Sequence, residues 1–434
     1  MSEAGSVRAG AKSPVVCIVG AGYAGKMRLY RRMVELGARL VVVDEPEHWS
    51  QQLVADGIAE AWLPVEVVGE PDRDAAAVLS ALREGGVHPD GVMTFWEDSV
   101  AVASRVAAAL SLPGNPPHSV DTCRSKFRTR ELSARVGLPT GRSVRVGTEA
   151  ELLAAAEVIG FPAVLKPEFG ASAMGVIKVP DAHSMSSALA LVRSVVTPEY
   201  DTIFRAGEGL LLEEYLDGVE FDVDVIMHDG LCIFSSVSQN WPTAEPSFQE
   251  TGLHCPPDHD ARQVTELVNL VVRTAQAFEL ANGVLHIEAK CTSRGPRVVE
   301  VNPRMGGGRV YEMVKAVWNV DLVAAQLRSC LGLPPDIEPS SQPLLASVGR
   351  LVHAPVSGRL VSLPIAEEPH PERLSLYIDI ETEVGEHVVG PEAVFATVLA
   401  DVTVMAPDLA TARAVADHAL ERVPEVWPLD EASA

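Results

Sequence analysis

At 434 residues the chain is long enough for two or three domains with real cores, and 47% hydrophobic and 22% charged residues suit a soluble globular protein. A formal net charge of −24 argues against a nucleic-acid or anionic-membrane partner, since both demand clustered Lys and Arg. A small phosphate ligand stays open, because a few lysines, backbone N–H groups and Mg²⁺ suffice to hold one. The six cysteines form no Cys-x-x-Cys pair, so neither a zinc ribbon nor a redox motif is expected, and reduced, mostly buried thiols fit a cytosolic enzyme. The opening MSEAGSVRAGAKSP has no apolar segment of a signal peptide, and no run of about 18 apolar residues exists to span a membrane. A cytoplasmic protein follows by default.

In chain order, residues 1–13 are small and polar and are expected to form a disordered tail. Val15 to Val19 reads as a buried parallel strand entering Gly20-Ala-Gly-Tyr-Ala-Gly25, then a helix to about Leu36 and a second strand, Leu40 to Val43, ending at Asp44. Gly91 to Phe95 is a further strand, followed by an Ala-rich helix from Ser99 to Leu110. Pro113 to Pro117 marks a boundary. Residues 118–145 look helical, Glu149 to Ile159 is a helix, and Ala163 to Lys166 and Val176 to Val179 are strands around a small-residue loop. Strands at Leu210–Glu214 and Glu220–Met227, a helix at Val264–Phe278, two strands between His286 and Asn302, and a helix over Arg309–Leu331 follow. After Pro334-Pro335 the composition resets, with strands near Ala346–Val352 and Thr397–Val404 and a helix at Leu409–Val423.

Four motifs carry chemistry. Gly20-x-Gly22-x-x-Gly25 with Asp44 downstream matches a dinucleotide fingerprint, and Gly25-Lys26 almost completes a phosphate loop, but Met27 stands where the Mg²⁺-binding hydroxyl is needed. A plain structural or substrate-side turn explains the glycines as well. In AVLKPEFGASAMGV, Lys166 closes a strand beside the loop Phe169–Gly175, where Gly170, Ala171, Ser172 and Gly175 let backbone N–H groups approach phosphate oxygens. A surface hairpin is the plainer alternative. In LLEEYLDGVE, Glu213 offers an acceptor for an adenine amino group, the backbone at Tyr215–Leu216 a ring-edge partner, and Glu220 an acceptor for ribose hydroxyls; an ordinary hairpin with exposed acids, Glu214 among them, is the alternative. The stretch HIEAKCTSRGPRVVEVNPRMGGGR is the most informative. Glu288 and Glu300 lie on adjoining strands, and Asn302, two residues on, shares the face of Glu300. Two carboxylates and an amide oxygen are a hard, oxygen-only set suited to Mg²⁺ shared with nucleotide phosphates.

The order of these motifs, lysine, lysine plus glycine loop, acidic hinge, then carboxylate–carboxylate–amide, resembles the ATP-grasp superfamily of carboxylate–amine ligases over about residues 15–330. Within it, HIEAKCTSRGPRVVEVNPRMGGG followed by VWNVDLV is most similar to carnosine synthases and bacterial L-amino-acid ligases that make dipeptides. The resemblance implies an α/β ATP-grasp fold. Its parts would be a Rossmann-like pre-ATP-grasp domain (14–116), an ATP-grasp domain (117–333, with a lid at about 145–215) and a small C-terminal α+β domain (334–434). It implies ATP as substrate, with Lys126 and Lys166 on the α- and β-phosphates. Phe169–Gly175 would close over the triphosphate, Glu213 and Leu216 would hold adenine, and Glu220 the ribose. Glu288, Glu300 and Asn302 would ligate two Mg²⁺ ions, with Mn²⁺ as an alternative, and Arg304 would bind the acyl phosphate and the oxyanion. Arg124, Arg128 and Arg130 compete with Lys126 for its role.

For the substrates, Phe248-Gln-Glu250-Thr-Gly252-Leu-His254 resembles a Glu-Thr-small-His segment lining the amino-acid site, with Leu253 inserted before the histidine. Gly306, Gly307, Arg309 and Glu312 follow the Asn-Pro-Arg segment, and Trp96 and Glu97 stand at a strand end where α/β sheets place ligands. The expected activity joins a carboxylate to an amine, both small molecules such as amino acids, through an acyl phosphate with ADP release. A homodimer is the usual assembly of similar enzymes. Competing readings are a carboxylase or purine-pathway ligase of the same superfamily, a non-catalytic nucleotide-binding regulator, and an NAD(P)-dependent oxidoreductase built on Gly20–Gly25.

Overall fold

The computed structural model describes residues 13–365, 375–391, 395–422 and 424–427; the expected N-terminal tail lies outside all but its last residue. No helix among them is long and apolar enough to cross a membrane.

The N-terminal unit is a parallel sheet of strands β1 (Val15–Val19), β2 (Arg39–Asp44), β3 (Ala59–Pro64) and β4 (Gly91–Met93) in the order β3-β2-β1-β4. Its helices are α1 (Met27–Glu35), the single turn α2 (Gln52–Ala55), α3 (Pro71–Glu84) and α4 (Val100–Ala109). Side-chain alternation splits β1 between two cores. Val16 and Ile18 pack with Leu29, Tyr30 and Met33 of α1, while Cys17 and Val19 pack with Val78 and Leu82 of α3 and Val106 of α4. β3 and α3 are additions to the sequence reading. The β3 run AEAWLP carries polar and partly exposed residues, which hide the apolar signature of a buried parallel strand.

The helical span expected over 118–145 divides. Helix α5 (Pro117–Arg124) stops at Ser125, whose side chain caps helix α6 (Lys126–Arg135) by accepting from the Arg128 N–H. Gly137, at φ +73°, then turns the chain, and Ser143–Val146 forms strand β5. With β6 (Ala163–Pro167), β7 (Ile177–Val179) and β8 (Leu210–Glu214), β5 makes an antiparallel sheet in the order β5-β8-β6-β7. Helices α7 (Glu149–Ile159) and α8 (Met185–Val195) cover it through a closed apolar cluster that includes Leu152, Leu165, Val192 and Leu212. This lid unit sits above the main sheet.

Among the described residues the main sheet has eight strands. They are β9 (Val219–His228), β10 (Leu231–Asn240), β11 (Gly252–Cys255), β12 (Gly283–Thr292), β13 (Gly295–Asn302), β14 (Ala346–His353), β16 (Ser375–Ile380) and β18 (Val398–Ala406), ordered β13-β12-β9-β10-β11-β14-β18-β16. Strands β15 (Gly358–Ser362), β17 (His387–Val388) and β19 (Glu425–Trp427) form a separate small sheet. The compositional reset after Pro334-Pro335 does not break the main sheet: β14 pairs antiparallel with β11, with Leu253 opposite Gly349 and His254 opposite Val348. Helix α9 (Ala261–Ala277) packs on one face through Phe221, Val223, Leu285 and Ile287. The expected single helix at 309–331 is two, α10 (Val310–Trp318) and α11 (Leu322–Cys330). Asn319 takes a left-handed conformation at the break, and Asp321 caps α11 from the Ala324 N–H. Helix α12 (Leu409–Ala419) backs β14 and β18.

Phe221 is fully enclosed between the sheet and α9. Phe221→Ala should cost about 3–5 kcal/mol of unfolding free energy in a urea titration, whereas a loss below about 1 kcal/mol would mean that this core is not packed as described.

Candidate active site

The other face of the main sheet is polar, and alternation makes it so. On β9, Phe221, Val223 and Val225 point into the α9 core, which turns Glu220, Asp222 and Asp224 to the opposite side. On β12, Ile287 and Ala289 do the same and turn out His286, Glu288 and Lys290. The register sets Glu288 directly between Asp222 of β9 and Glu300 of β13, and His286 between Asp224 and Asn302. A β-bulge between Glu288 and Ala289, with Val299 as the extra residue on β13, ends this alignment. His286 Nδ1 lies 3.0 Å from Asp224 Oδ1, Asn240 Nδ2 donates to Asp222 Oδ1 at 3.0 Å, and Lys290 Nζ lies 3.3 Å from Glu220 Oε2.

The carboxylates crowd one another. Burial, then Glu300, Asp222 and Glu220, pushes Glu288 well above the ordinary carboxylate range. Burial raises Asp222 to about 6, with Glu220 and Asp224 adding to it against the opposing pull of His286. Burial alone would discharge His286, yet the Asp224 carboxylate overrides it and raises the imidazole to about 10. Excess negative charge of this kind is relieved by a proton or a cation.

A cleft between this face and the lid gathers most of the nucleotide-site residues expected from sequence. Lys126, Lys166, Gly170, Ala171, Ser172, Glu213, Glu214, Tyr215, Leu216, Glu220, Glu250, Glu288 and Glu300 line it, together with Val164, Met174, Phe248 and Val299. The helix period narrows the competition around Lys126 to Lys126 and Arg130. Lys126 and Arg130, four apart on α6, share this cleft, while Arg124 and Arg128 line a larger cleft between the N-terminal unit and the lid. Lys126 Nζ lies 3.1 Å from Glu300 Oε1 and donates to the Gly170 carbonyl at 3.1 Å. Lys166 Nζ lies 2.5 Å from Glu213 Oε2, which Arg130 Nη2 also reaches at 3.2 Å. Burial opposes ionisation of Glu213, but Arg130 and Lys166 outweigh it and hold the carboxyl down at about 2. Glu213 is thus committed to two cations, and only its buried Oε1 lacks a partner. In the glycine loop, Ser172 and Ala173 both take left-handed backbone conformations, at φ +53° and +57°. Two such non-glycine residues in succession store strain at a functional position.

The remaining expected residues are placed differently. Arg304 Nε meets Glu97 Oε2 at 2.5 Å, and Nη1 donates to the Met305 carbonyl at 3.0 Å; Nη2 has no partner among the described residues. Glu97 is buried, its other oxygen 3.0 Å from Arg124 Nη1. Burial would raise its pKa, but Arg304 and Arg124 bring it to about 2. Trp96 lines the larger cleft. His254 is a correction. It is buried behind the sheet, where Nδ1 accepts from Trp241 Nε1 at 2.9 Å and Nε2 lies 3.3 Å from Arg413. Burial and Arg413 push it down to about 4. The inserted Leu253 is the reason: one extra strand residue turns the next side chain to the opposite face. Arg309 is also corrected. It forms a fork with Asp379, Nε to Oδ2 at 2.6 Å, and lies 3.3 Å from Glu312, which Arg28 holds at 2.6 Å; it is a cross-brace to the C-terminal strands rather than an open ligand for substrate. Gly306 is a packing position, since a Cβ there would sit 2.8 Å from His286 Nδ1, and Gly307 faces open space.

The Gly20–Gly25 loop is structural. A Cβ on Gly20 would fall 2.0 Å from Ser99 Oγ, and one on Gly22 2.8 Å from the Trp96 ring. Asp44 is used up locally, its Oδ2 accepting from the Ala21 N–H at 2.8 Å and from Ser50 Oγ at 3.1 Å. Sequence reasoning missed Asp222, Asp224 and His286. The EFDVDV alternation of β9 contained the signal for the first two.

Family comparison agrees with this geometry. An ATP-grasp domain model matches residues 159–312, and an ATP-grasp N-terminal domain model matches residues 30–114. The chain belongs to the ATP-grasp superfamily. It is 33% identical over 358 residues to carnosine synthase 1 of Gallus gallus, covering 79% of this chain and 38% of that protein. It is 25% identical to the alanine–anticapsin ligase of Bacillus subtilis, over 57% of this chain and 55% of that one. The chain therefore spans about two fifths of the length of the carnosine synthases it matches. An L-amino acid ligase structure from Bacillus licheniformis superposes with a TM-score of 0.81 at 20% identity, covering 97% of this chain and 100% of that one, which establishes the shared fold. ATP-grasp proteins as a class use ATP with Mg²⁺.

Because Glu288 and Asp222 hold protons more tightly folded than unfolded, where about 4.5 and 3.8 apply, their ionisation opposes folding. Stability of the metal-free protein should fall as pH rises from near 4 through 6, and Glu288→Gln and Asp222→Asn should flatten that fall in urea midpoints between pH 5 and 7. Wild type and both variants changing in parallel would show that these carboxylates are not crowded.

Proposed function

We propose that this ATP-grasp protein is an ADP-forming ligase that joins the carboxylate of one small molecule to the amine of another, amino acids on both sides, through an acyl phosphate. One observation carries the reading. A single cleft opposes two lysines, Lys126 and Lys166, to an acidic row centred on the half-buried Glu288 and Glu300. Such a cleft neutralises a triphosphate from one side and takes cations from the other.

The donor set fits Mg²⁺. Among the described residues no three His, Cys, Asp or Glu side chains form a ready-made cation cage. Glu288, Glu300 and the buried Asn302 supply an incomplete hard-oxygen shell, the kind that Mg²⁺ completes with water and phosphate oxygens. When bound, one or two such ions would neutralise charge on the transferring phosphoryl group; Mn²⁺ is the natural substitute.

The residues divide the remaining work. Lys126 and Lys166 hold phosphates, and each must exchange its carboxylate partner for them. The Gly170–Gly175 segment closes over the triphosphate and keeps water from the acyl phosphate. Val164, Met174, Leu216 and Val299 offer an apolar slot for adenine, with Glu213 Oε1 as an acceptor at its edge and Glu220 placed for the ribose. The substrate carboxylate attacks the γ-phosphorus and ADP leaves. The amine then attacks the acyl carbon, and phosphate leaves after collapse of the tetrahedral intermediate. Arg304, held by Glu97 through Nε, keeps Nη2 for the oxyanion.

Incubation with ATP, Mg²⁺ and paired amino acids should release ADP and phosphate and give an amide of the expected mass for at least one pair. AMP and pyrophosphate, or ADP release that depends on bicarbonate and no amine, would contradict the proposal. Arg304→Ala should bind ADP normally and lose amide formation by about 10²–10³-fold, the typical cost of an oxyanion donor. Near-normal turnover by that variant would remove Arg304 from the mechanism.

A further inference from the structure

Lys26 stands at the end of the Gly20–Gly25 loop and is only 4% exposed, yet its side chain makes no hydrogen bond or ion pair among the described residues. Its Nζ lies 5.1 Å from the centre of the Tyr23 ring and 5.7 Å from that of Trp96. Among the described residues those rings are the side chain's partners, and both line the cleft between the N-terminal unit and the lid. Nearby, the single carboxylate of Glu97 is spent on both oxygens, one with Arg124 and one with Arg304. The corner thus sets three cations, Lys26, Arg124 and Arg304, around Glu97, with Asp98 as the further carboxylate on the Arg124 side. Burial, followed by the Arg304 and Arg28 charges, drives the Lys26 amine down to about 7, with Glu97 as the weaker counterweight. A buried cation without an anion is costly unless a ligand supplies one.

We propose that Lys26 binds the carboxylate of the amine-donating amino acid, the one carboxylate of a substrate pair that does not react. This rests on the ligase reading above. Two amino acids bring two carboxylates to the site. The reacting one is consumed at the γ-phosphate, and the phosphates themselves have their own cations, Lys126 and Lys166, in the neighbouring cleft. The second carboxylate needs a cation near Arg304, since its amine must reach the acyl carbon held there. Lys26 is the cation in this corner that no carboxylate among the described residues contacts, and Trp96 and Tyr23 give it apolar walls that strengthen the pairing. Lys26 would then select amino acids over simple amines.

The test is calorimetric binding of a panel of L-amino acids and their carboxamides to the full chain with Mg²⁺ and ADP, beside product formation from the same compounds. Wild type should bind at least one amino acid about tenfold or more tighter than its carboxamide, the range of one charge-assisted hydrogen bond. Lys26→Met should lose that preference by weakening only the acid, and Lys26→Arg should keep part of it. Thermal stability of Lys26→Met and Lys26→Gln should hold or rise, because an unpaired buried charge is removed. A preference that survives in Lys26→Met, an absence of any preference in wild type, or a fall in Tm in both variants would overturn the proposal, the last by showing a structural lysine. A preference lost with Lys26 but no amide product from any pair would support the anion site and sink the ligase reading instead.

Discussion

The structure is organised around an electrostatic conflict: Asp222, Glu288 and Glu300 lie side by side across three hydrogen-bonded strands. Like charges directly opposite each other in a sheet are destabilising. The fold tolerates them because the reverse face of the same strands is a tightly packed apolar core against α9. Each surrounding cation answers part of the conflict: His286 beside Asp224, Lys290 beside Glu220, Lys126 beside Glu300. What they leave unanswered is what a divalent ion and a triphosphate, brought together, would supply.

The lysines show the same logic from the other side. Lys126 and Lys166 are buried and rest on Glu300 and Glu213, so the cleft is internally paired. A phosphate ligand on these lysines would displace the carboxylates, and a metal ion would take up Glu300 as it is released, so that ligand and metal binding would be coupled through one ion pair. The N-terminal unit follows a different rule, with Arg124, Glu97 and Arg304 forming a rigid bridge from α5 to the strand-end segment after Asn302.

Much of the site was legible because it is written in local order. Lys166 at a strand end, the small-residue loop after it, and the Glu300-x-Asn302 spacing each survive translation into structure, since strand period alone determines their facing. The element boundaries at Glu149–Ile159 and Leu210–Glu214 were equally clear from flanking turns. Less visible were features that depend on register between distant strands. The EFDVDV alternation puts Asp222 on a polar face, but that Asp222 lies beside Glu288 and His286 beside Asp224 follows only from the pairing of β9 with β12. His254 shows the opposite failure: its motif was recognisable, but the insertion of Leu253 reversed the face on which it lies. The Gly20–Gly25 fingerprint was ambiguous in sequence and became clear only from the close contacts of its glycines with Ser99 and Trp96. The continuity of the main sheet through β14 was likewise concealed, because the proline-rich segment at 334–335 marks a change of composition without a change of sheet.

The central claim is that the acidic row is a cation site that works only together with a nucleotide. The most direct measurement is calorimetric titration of ADP with Mg²⁺ and then with excess EDTA, in wild type and in the double variant Glu288→Gln/Glu300→Gln. Wild type should bind ADP at least about tenfold more tightly with Mg²⁺ than without, a difference of about 1.4 kcal/mol, and the double variant should show no dependence on Mg²⁺. Equal Mg²⁺ dependence in both proteins would contradict that claim.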